Sequence, residues 1–542
     1  MTINKHPGLD VLLIGFEDET NLGLRSIDAV LNANGYTSLL LPYRTGQHET
    51  VLEFARQYNP RLIGFSIIFQ FTLDEFAGLM SFLRASKVNG HFTAGGHFPS
   101  LRSREILEAV PELDTIVRFE GEITLLELLR QLDHPDLWSE ILGLAYRSGE
   151  EIVCTAPRPL IEDLDSLPVI DHGQPGIMGK GIKTATMLAS RGCLFECAFC
   201  SIRQFYAGAP GPLRRARLPQ AVVDEMSVLY RETGARFFLF QDDDFAARTN
   251  VQREWLRNFL HSLDNSGMVG EIAWKISCRV DDLDEQTIDA CRARGLAGVY
   301  LGVESGSPTG LQTLRKHTSV ERNLSAIALL KRKQLSFSIG FMLFDPSSTM
   351  ATLRENLQFL RLTASDGTFP VNFCKMLPYA GTPIEKQLRE TNRLRGTFIQ
   401  PDYDFLDPRI DTFAYFVSKI FSRRNFAPLG LFNRLLLAQV SQHLEIHFKR
   451  LSYDDECVRT LEQIMADSNR MALDILDELL EMFQDDTVNE DDLLKLANRE
   501  WECEAACIAR LDGLLFETDT ELLRFFGNAS KQEIEGKRQR IT

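Results

Sequence analysis

Residues 190–202 read SRGCLFECAFCSI and set Cys193, Cys197 and Cys200 in a C-x3-C-x2-C pattern. Three of the ten cysteines thus fall within eight residues. Thiolates suit zinc and iron–sulfur clusters. A structural zinc site needs a fourth protein ligand at a recognisable spacing, and none stands near. His172 lies 21 residues before Cys193, and no C-x2-C or H-x3-H partner follows Cys200 at a zinc-like distance. Three protein ligands fit a [4Fe-4S] cluster with one iron left open, where a small molecule completes the coordination. The remaining cysteines are too scattered for a disulfide framework in 542 residues and read as reduced thiols. Cys503 and Cys507 stand at helical i, i+4 spacing and read as core thiols.

Working outward, the loop follows an apolar run, TATMLAS, and further βα alternation follows it. The later strands are FFLFQDD, IAWKISCRVD, GVYLGVESG, SFSIGFMLFDP and VNFCKMLPYAG. Six strands in all predict a partial (β/α)6 barrel over residues 184–392, with its chemistry on the carboxyl-end loops. Polar residues gather there: Gln241, Asp242, Asp243 and Asp244, then Arg279 and Asp281, then Glu304 and Ser305. At least one of the aspartates should face the barrel mouth, because alternate residues of a strand face opposite ways. The stretch SIRQFYAGAPGPLRRARLP after the cysteines reads as a loop that covers the site, handles an acidic group through Arg214, Arg215 and Arg217, or pairs with acidic helices.

Ahead of the barrel, residues 1–137 alternate strand and helix: DVLLIGF, LGLRSIDAVLNANG, TSLLLPY, PRLIGFSIIF, HFTAGG and DTIVRF. This predicts a doubly wound, Rossmann- or flavodoxin-like parallel sheet with ligands outside the carboxyl ends of its strands. The positions of interest are Gly64, Ser66, Gly95, Gly96, His97, and Glu120 and Gly121 of EGE. Glycines at strand ends let a large planar group approach backbone closely. Residues 138–183 read as a β-rich connector and linker, and residues 393–542 as a C-terminal α-helical domain whose tail, SKQEIEGKRQRIT, frays.

Composition sets the outer limits. A chain that is 44% hydrophobic and 25% charged is ordinary globular protein, long enough for several cores. A net charge of −16 argues against a broad electrostatic grip on nucleic acid. No run approaches the roughly 18 apolar residues of a bilayer span, and MTINKHPGLD does not read as a targeting segment, so a cytoplasmic protein is expected.

At the cysteine loop and the later strand ends, the sequence resembles the radical S-adenosylmethionine (SAM) superfamily. Phe199 stands where that family has an aromatic residue, and FQDDDF, GVESG, GFMLFDP and LPYAGTP are similar to its strand ends. The resemblance implies that Cys193, Cys197 and Cys200 hold the cluster and that its open iron binds SAM. SAM contacts would come from Gln241, Asp242, Asp243, Arg279, Glu304, Ser305 and Tyr379, though Arg279 with Asp281 also reads as a plain ion pair and Tyr379 as packing. The first part resembles the cobalamin-binding domain of the cobalamin-dependent radical SAM enzymes, through LGLRSIDAVLNANGY, IGFSIIFQ (ending in Gln70), AGGHFPS and DTIVRFEGEIT. The D-x-H-x2-G motif that supplies a lower cobalt ligand has no match; the corresponding loop is DETNLG, with Asn21 and Gly23. His97 reads as a hydrogen-bonding residue near the corrin edge, a plain loop histidine or, less readily, a ligand.

That family resemblance implies a methyltransferase acting on an unactivated carbon, or a phosphinate phosphorus, of a small-molecule or peptide intermediate in specialised metabolism. One SAM supplies the methyl group by way of cobalamin; a second supplies a 5′-deoxyadenosyl radical that takes hydrogen from the substrate. An external electron donor such as flavodoxin or ferredoxin is implied. The alternative is a radical SAM oxidative cyclase of similar domain order. A methylthiotransferase fits less well, since that family carries three further cysteines in its N-terminal domain and this chain has none before Cys154.

Overall fold

The structure is a computed structural model that describes residues 8–16, 21–245, 248–427, 429–484 and 488–514. Asp18 of DETNLG and the tail SKQEIEGKRQRIT lie outside the described residues.

The first layer grows from short apolar runs: β1 (Val11–Phe16), β2 (Ser38–Tyr43), β3 (Leu62–Ser66), β4 (His91–Gly95) and β5 (Thr115–Val117). They pair in parallel in the order β2-β1-β3-β4-β5. Their alternate side chains enter two separate cores. Leu12, Ile14, Ile63 and Phe65 meet the helices His48–Tyr58 and Leu73–Ala85, while Val11, Leu13 and Leu62 meet Leu22–Ala33 and Glu122–Arg130. Helices on both faces explain why these strands are apolar throughout. The chain leaves β1 toward β2 on one side and returns to β3 on the other, so a crevice opens at the carboxyl ends of β1 and β3.

The sheet runs on past residue 137. The hairpin of β6 (Leu144–Ser148) and β7 (Glu151–Cys154) adds to the open edge of β5 in antiparallel fashion and makes a seven-stranded mixed sheet. Strand segments of the expected connector thus belong to the first layer, where they cover an edge that would otherwise present unpaired backbone.

The second sheet comprises β8 (Gly176–Met178), β9 (Ile182–Met187), β12 (Phe237–Phe240), β13 (Ala273–Arg279), β14 (Leu296–Glu304) and β15 (Ser336–Phe341). Between β9 and β12 a small pair, β10 (Ser190–Arg191) and β11 (Arg215–Ala216), flanks the cysteine loop. In the large sheet the order is β15-β14-β13-β12-β9-β8, parallel except for the edge strand β8. The segment expected as a sixth parallel strand, residues 371–381, makes only one isolated bridge, between Phe344 and Lys375. Its backbone is taken by the C-terminal helices: Asn469 accepts from Val371 N at 3.2 Å and Asn425 from Phe373 N at 3.3 Å.

After a short hairpin of β16 (Leu394–Gly396) and β17 (Pro401–Tyr403), four helices complete the described chain: Pro408–Phe426, Leu431–His447, Glu456–Gln484 and Glu490–Leu514. The hairpin is an addition to the all-helical expectation. The helix Leu431–His447 closes the lower end of the half-barrel, where Leu444 joins Ile182, Phe237, Ala273 and Ala297 in one apolar plug. Among the described residues no helix is long and apolar enough to cross a membrane.

Candidate active site

The cysteine loop leaves β10 through Gly192, whose φ of +85° and close approach to the Leu213 carbonyl require glycine. Cys197 is buried, and Cys193 and Cys200 are partly so. Burial, followed by nearby carboxylates, pushes the Cys193 thiol up to about 12; burial likewise pushes Cys200 up to about 11. Three thiolates side by side are stable in such a place only when metal charge compensates them. Among the described residues no three His, Cys, Asp or Glu side chains converge on a single-ion site. In a cluster each thiolate takes a different iron, so the donor set fits an iron–sulfur cluster on three cysteines and does not form a closed zinc site.

Arg279, at the end of β13, donates to Cys197 Sγ at 3.3 Å and to Asp281 at 2.7 Å, and its guanidinium lies 3.9 Å from the Phe195 ring centre. It thus supports the cysteine loop and forms an ion pair at once. Phe199 packs on the barrel's outer core. Glu304 ends β14 in the left-handed region at φ +69° and pairs with buried Lys316 at 2.8 Å, which satisfies an inward carboxylate. Ser305 is fully buried and donates to Asn356 Oδ1 at 3.1 Å, away from the mouth.

The aspartates divide. Asp242 is buried and accepts from Ala189 N and Ser190 Oγ, bracing β10. Asp243 accepts from Gly192 N at 2.9 Å and shows its remaining surface to a cavity. It is accessible yet enclosed by protein, and burial raises its carboxyl to about 6. Asp244 lies behind them, raised to about 8 by burial and by Asp282.

That cavity lies between the two α/β layers and has about 1310 Å³ of empty space, its mouth included. One wall is the crevice of the first sheet, with Asn21, Gly23, Ser66 and Gly64; another is the turn of Gly95, Gly96 and His97, with Gly121 from the start of the helix Glu122–Arg130. The barrel contributes Arg191, Phe205, Tyr206, Gln241 and Asp243. Asn21 is held in place by capping the helix Leu22–Ala33 through Leu24 N, and by donating to Ser66 Oγ at 3.2 Å. His97 packs edge-on against Phe205 with ring centres 4.3 Å apart, and burial lowers it to about 4, so it is a neutral imidazole. The cavity, mostly apolar with a few convergent polar groups, fits a large flat cofactor such as a corrin.

The strand-end glycines line this cavity, and two of them are also closely packed. A Cβ on Gly64 would fall 2.8 Å from Leu13 Cδ2, and one on Gly96, at φ +114°, would fall 2.5 Å from the Ile67 carbonyl oxygen. Backbone packing therefore demands glycine at Gly96, whereas Gly64 meets only the end of a leucine side chain; both line the cavity, and Gly23, with no atom nearer than 3.8 Å, faces open space.

Glu120 lines the cavity but gives its oxygens to protein: Arg191 at 3.0 Å, Arg215 at 2.8 Å and Ile161 N at 2.8 Å. Glu122 pairs with Arg191 at 2.7 Å and accepts from Ser26 at 2.8 Å. Arg217 pairs with Glu225 at 2.6 Å and Asp165 at 3.1 Å. Arg215 and Arg217 therefore follow the ion-pairing reading, while Arg214 donates to the Asp244 carbonyl at 3.2 Å and to Ser190 Oγ at 3.3 Å. The segment itself begins as a helix, Ser201–Ala207, which brings Phe205 and Tyr206 to the cavity. Gln70 lies outside the cavity wall, where its Oε1 accepts from Ala380 N at 2.9 Å. Next to Ala380, Tyr379 meets Phe69 at 6.4 Å between ring centres, and burial raises its hydroxyl above the usual tyrosine range.

Comparison with known proteins places this geometry in context. Residues 14–129 match the B12 binding domain, and residues 187–360 match the Radical SAM superfamily. The chain is 28% identical over 372 residues to the anaerobic magnesium-protoporphyrin IX monomethyl ester cyclase of Cereibacter sphaeroides, covering 67% of this chain and 58% of the cyclase. It is 25% identical over 410 residues to an uncharacterized methyltransferase of Pyrococcus horikoshii, covering 74% of this chain and 85% of that one. Its fold is similar to that of the cobalamin-dependent S-adenosylmethionine radical enzyme OxsB with aqua-cobalamin and S-adenosylmethionine bound. The TM-score is 0.64 at 16% identity, over 92% of this chain and 84% of OxsB.

Proposed function

The chain belongs to the cobalamin-dependent radical SAM enzymes, and on that premise we propose that it is a methyltransferase. Its acceptor is an unactivated carbon, or a phosphinate phosphorus, of a small-molecule or peptide intermediate. The observation that carries this reading is the shared cavity: one space is walled by the carboxyl edge of the first sheet and by residues flanking the cluster loop. A methyl donor seated there meets a substrate at the barrel mouth.

When bound, the cluster supplies the electron that cleaves SAM, and cobalamin supplies the methyl group. Cys193, Cys197 and Cys200 hold the cluster, with Arg279 donating to Cys197. Asp243, Gln241 and the Glu304–Lys316 pair offer polar contacts to SAM at the mouth. Ser66, His97 and Gly121 would bound the corrin space from the first layer, with His97 as a neutral imidazole. The electron comes from an external donor of the flavodoxin or ferredoxin class.

A radical cyclase is the second reading, favoured by the 28% identity to the Cereibacter cyclase. Anaerobic reconstitution with iron, sulfide and hydroxocobalamin, followed by turnover of trideuteriomethyl-SAM, separates the two. Methyl transfer yields S-adenosylhomocysteine together with 5′-deoxyadenosine and an acceptor carrying the label; cyclisation yields 5′-deoxyadenosine and an unlabelled product.

A further inference from the structure

The inner face of the half-barrel carries a lysine that the chemistry above does not use. Along β13, Trp274, Ile276 and Cys278 enter the outer core, so Lys275, Ser277 and Arg279 face the lumen. Arg279 reaches the cysteine loop at the top. Lys275 sits four residues lower, about 13 Å along the strand. Its stem lies across Gly298, where a Cβ would come within 3.2 Å of Lys275 Cγ.

Among the described residues no carboxylate pairs with this ammonium. Burial alone holds its pKa below the usual lysine range, with no neighbouring charge contributing, and no described residue bonds to its Nζ. Lys316, the buried lysine higher up, has Glu304 at 2.8 Å. A mostly buried cation without a partner is costly unless a ligand supplies the counter-charge.

Lys275 stands between Leu239 and Gly298, and the layer above it is polar. One step above it, the register sets Ser277 opposite Tyr300 and Tyr300 opposite Ser338, three hydroxyls in one layer across adjacent strands. Tyr300 lies on an interior strand yet is 43% exposed, which requires open space in front of it. Gly340 makes the room, since a Cβ there would fall 2.6 Å from the Tyr300 hydroxyl. Below Lys275 the space ends: Leu444 seals it, with Val440 and Phe448 packed alongside and Leu239, opposite Lys275, resting on this plug.

We infer that the lumen is an acid-binding pocket, in which Lys275 pairs with a carboxylate or phosphate of the substrate while Ser277, Tyr300 and Ser338 hydrogen-bond its polar groups. This rests on the methyltransferase reading and narrows its substrate to an anion with its acid group held deep and its reacting atom above, toward the cluster loop. A neutral substrate would leave Lys275 buried and unpaired.

Calorimetric titration of the reconstituted full chain tests the inference with three probes: phenylacetate, phenyl phosphate and the neutral phenylacetamide. The two acids separate a carboxylate pocket from a phosphate pocket. The wild-type chain is expected to bind one acid at least tenfold more tightly than the amide. Lys275→Met abolishes that preference and Lys275→Arg keeps it, with iron content, corrin retention and melting checked in each. Should the methionine variant fail to fold, Lys275→Gln makes the same comparison. Equal affinity of acid and amide for the wild type, no measurable binding of either, or a preference that survives without the lysine charge overturns the inference. Binding is read without turnover, so such a result leaves methyl transfer standing; turnover to 5′-deoxyadenosine alone overturns methyl transfer and leaves the pocket standing.

Discussion

Arg191, two residues before the first cluster cysteine, holds Glu122 of the first layer at 2.7 Å and, through its other arm, Glu120 at 3.0 Å. All three side chains are largely buried. The loop that presents the cysteines is therefore tied to the sheet that walls the cavity, and neither moves without exposing or orphaning charge. Replacing Arg191 with methionine leaves Glu122 buried with only the Ser26 hydroxyl for a partner, while Glu120 keeps Arg215, an effect of about 3–5 kcal/mol on unfolding free energy. The double variant with Glu122→Leu recovers part of that loss, a result that a double-mutant cycle under chemical denaturation measures. Burial pushes the Glu122 carboxyl up, but Arg191 and Ser26 outweigh it and hold it below the usual carboxylate range. Its contribution is thus present above the ordinary carboxylate pKa and lost as pH falls through and below it.

The cysteines and the apolar alternation are local signals, and the sequence displays them directly. Arg191 is not of that kind: in SRGC it reads as a polar flank, and its partner lies 69 residues away. Gln70 belongs to a strand-end phrase and so reads as a cofactor contact, yet its acceptor goes to a backbone amide 310 residues on. Residues 371–381 have the composition of a strand, but whether they pair with β15 depends on Asn425 and Asn469, which come from helices far along the chain. The helix Ser201–Ala207 is seven residues long between a cysteine and a Gly-Pro stretch, too short for a hydrophobic period to show.

His97 makes the interface sensitive to acid. Burial lowers its pKa from 6.5 to about 4, so in that window the unfolded chain binds a proton that the folded chain does not. Stability therefore falls as pH drops from 6.5 toward 4, by roughly 1–3 kcal/mol after allowing for the surface it shows to the cavity. Thermal melts across this range should show a shallower acid limb in His97→Phe than in the wild type, at equal slope above pH 7.

Gly96 is set by its backbone. At φ +114° and with the Ile67 carbonyl oxygen 2.5 Å from a would-be Cβ, Gly96→Ala forces the turn that carries His97 to shift. The expected loss is about 1–3 kcal/mol. Gly23→Ala, which meets nothing nearer than 3.8 Å, should be close to neutral in stability. Paired urea titrations of the two variants compare them, and weaker corrin retention in Gly96→Ala should accompany its loss.

Corrin and cluster are expected to meet across one cavity, between the first sheet and the cysteine loop. Electron paramagnetic resonance of the protein loaded with cob(II)alamin and the reduced cluster tests this most directly. Close approach across the Asp243 and Tyr206 wall predicts spectra broadened or split by mutual magnetic coupling, absent when either centre is loaded alone. A spectrum equal to the sum of the two separate centres would contradict the account.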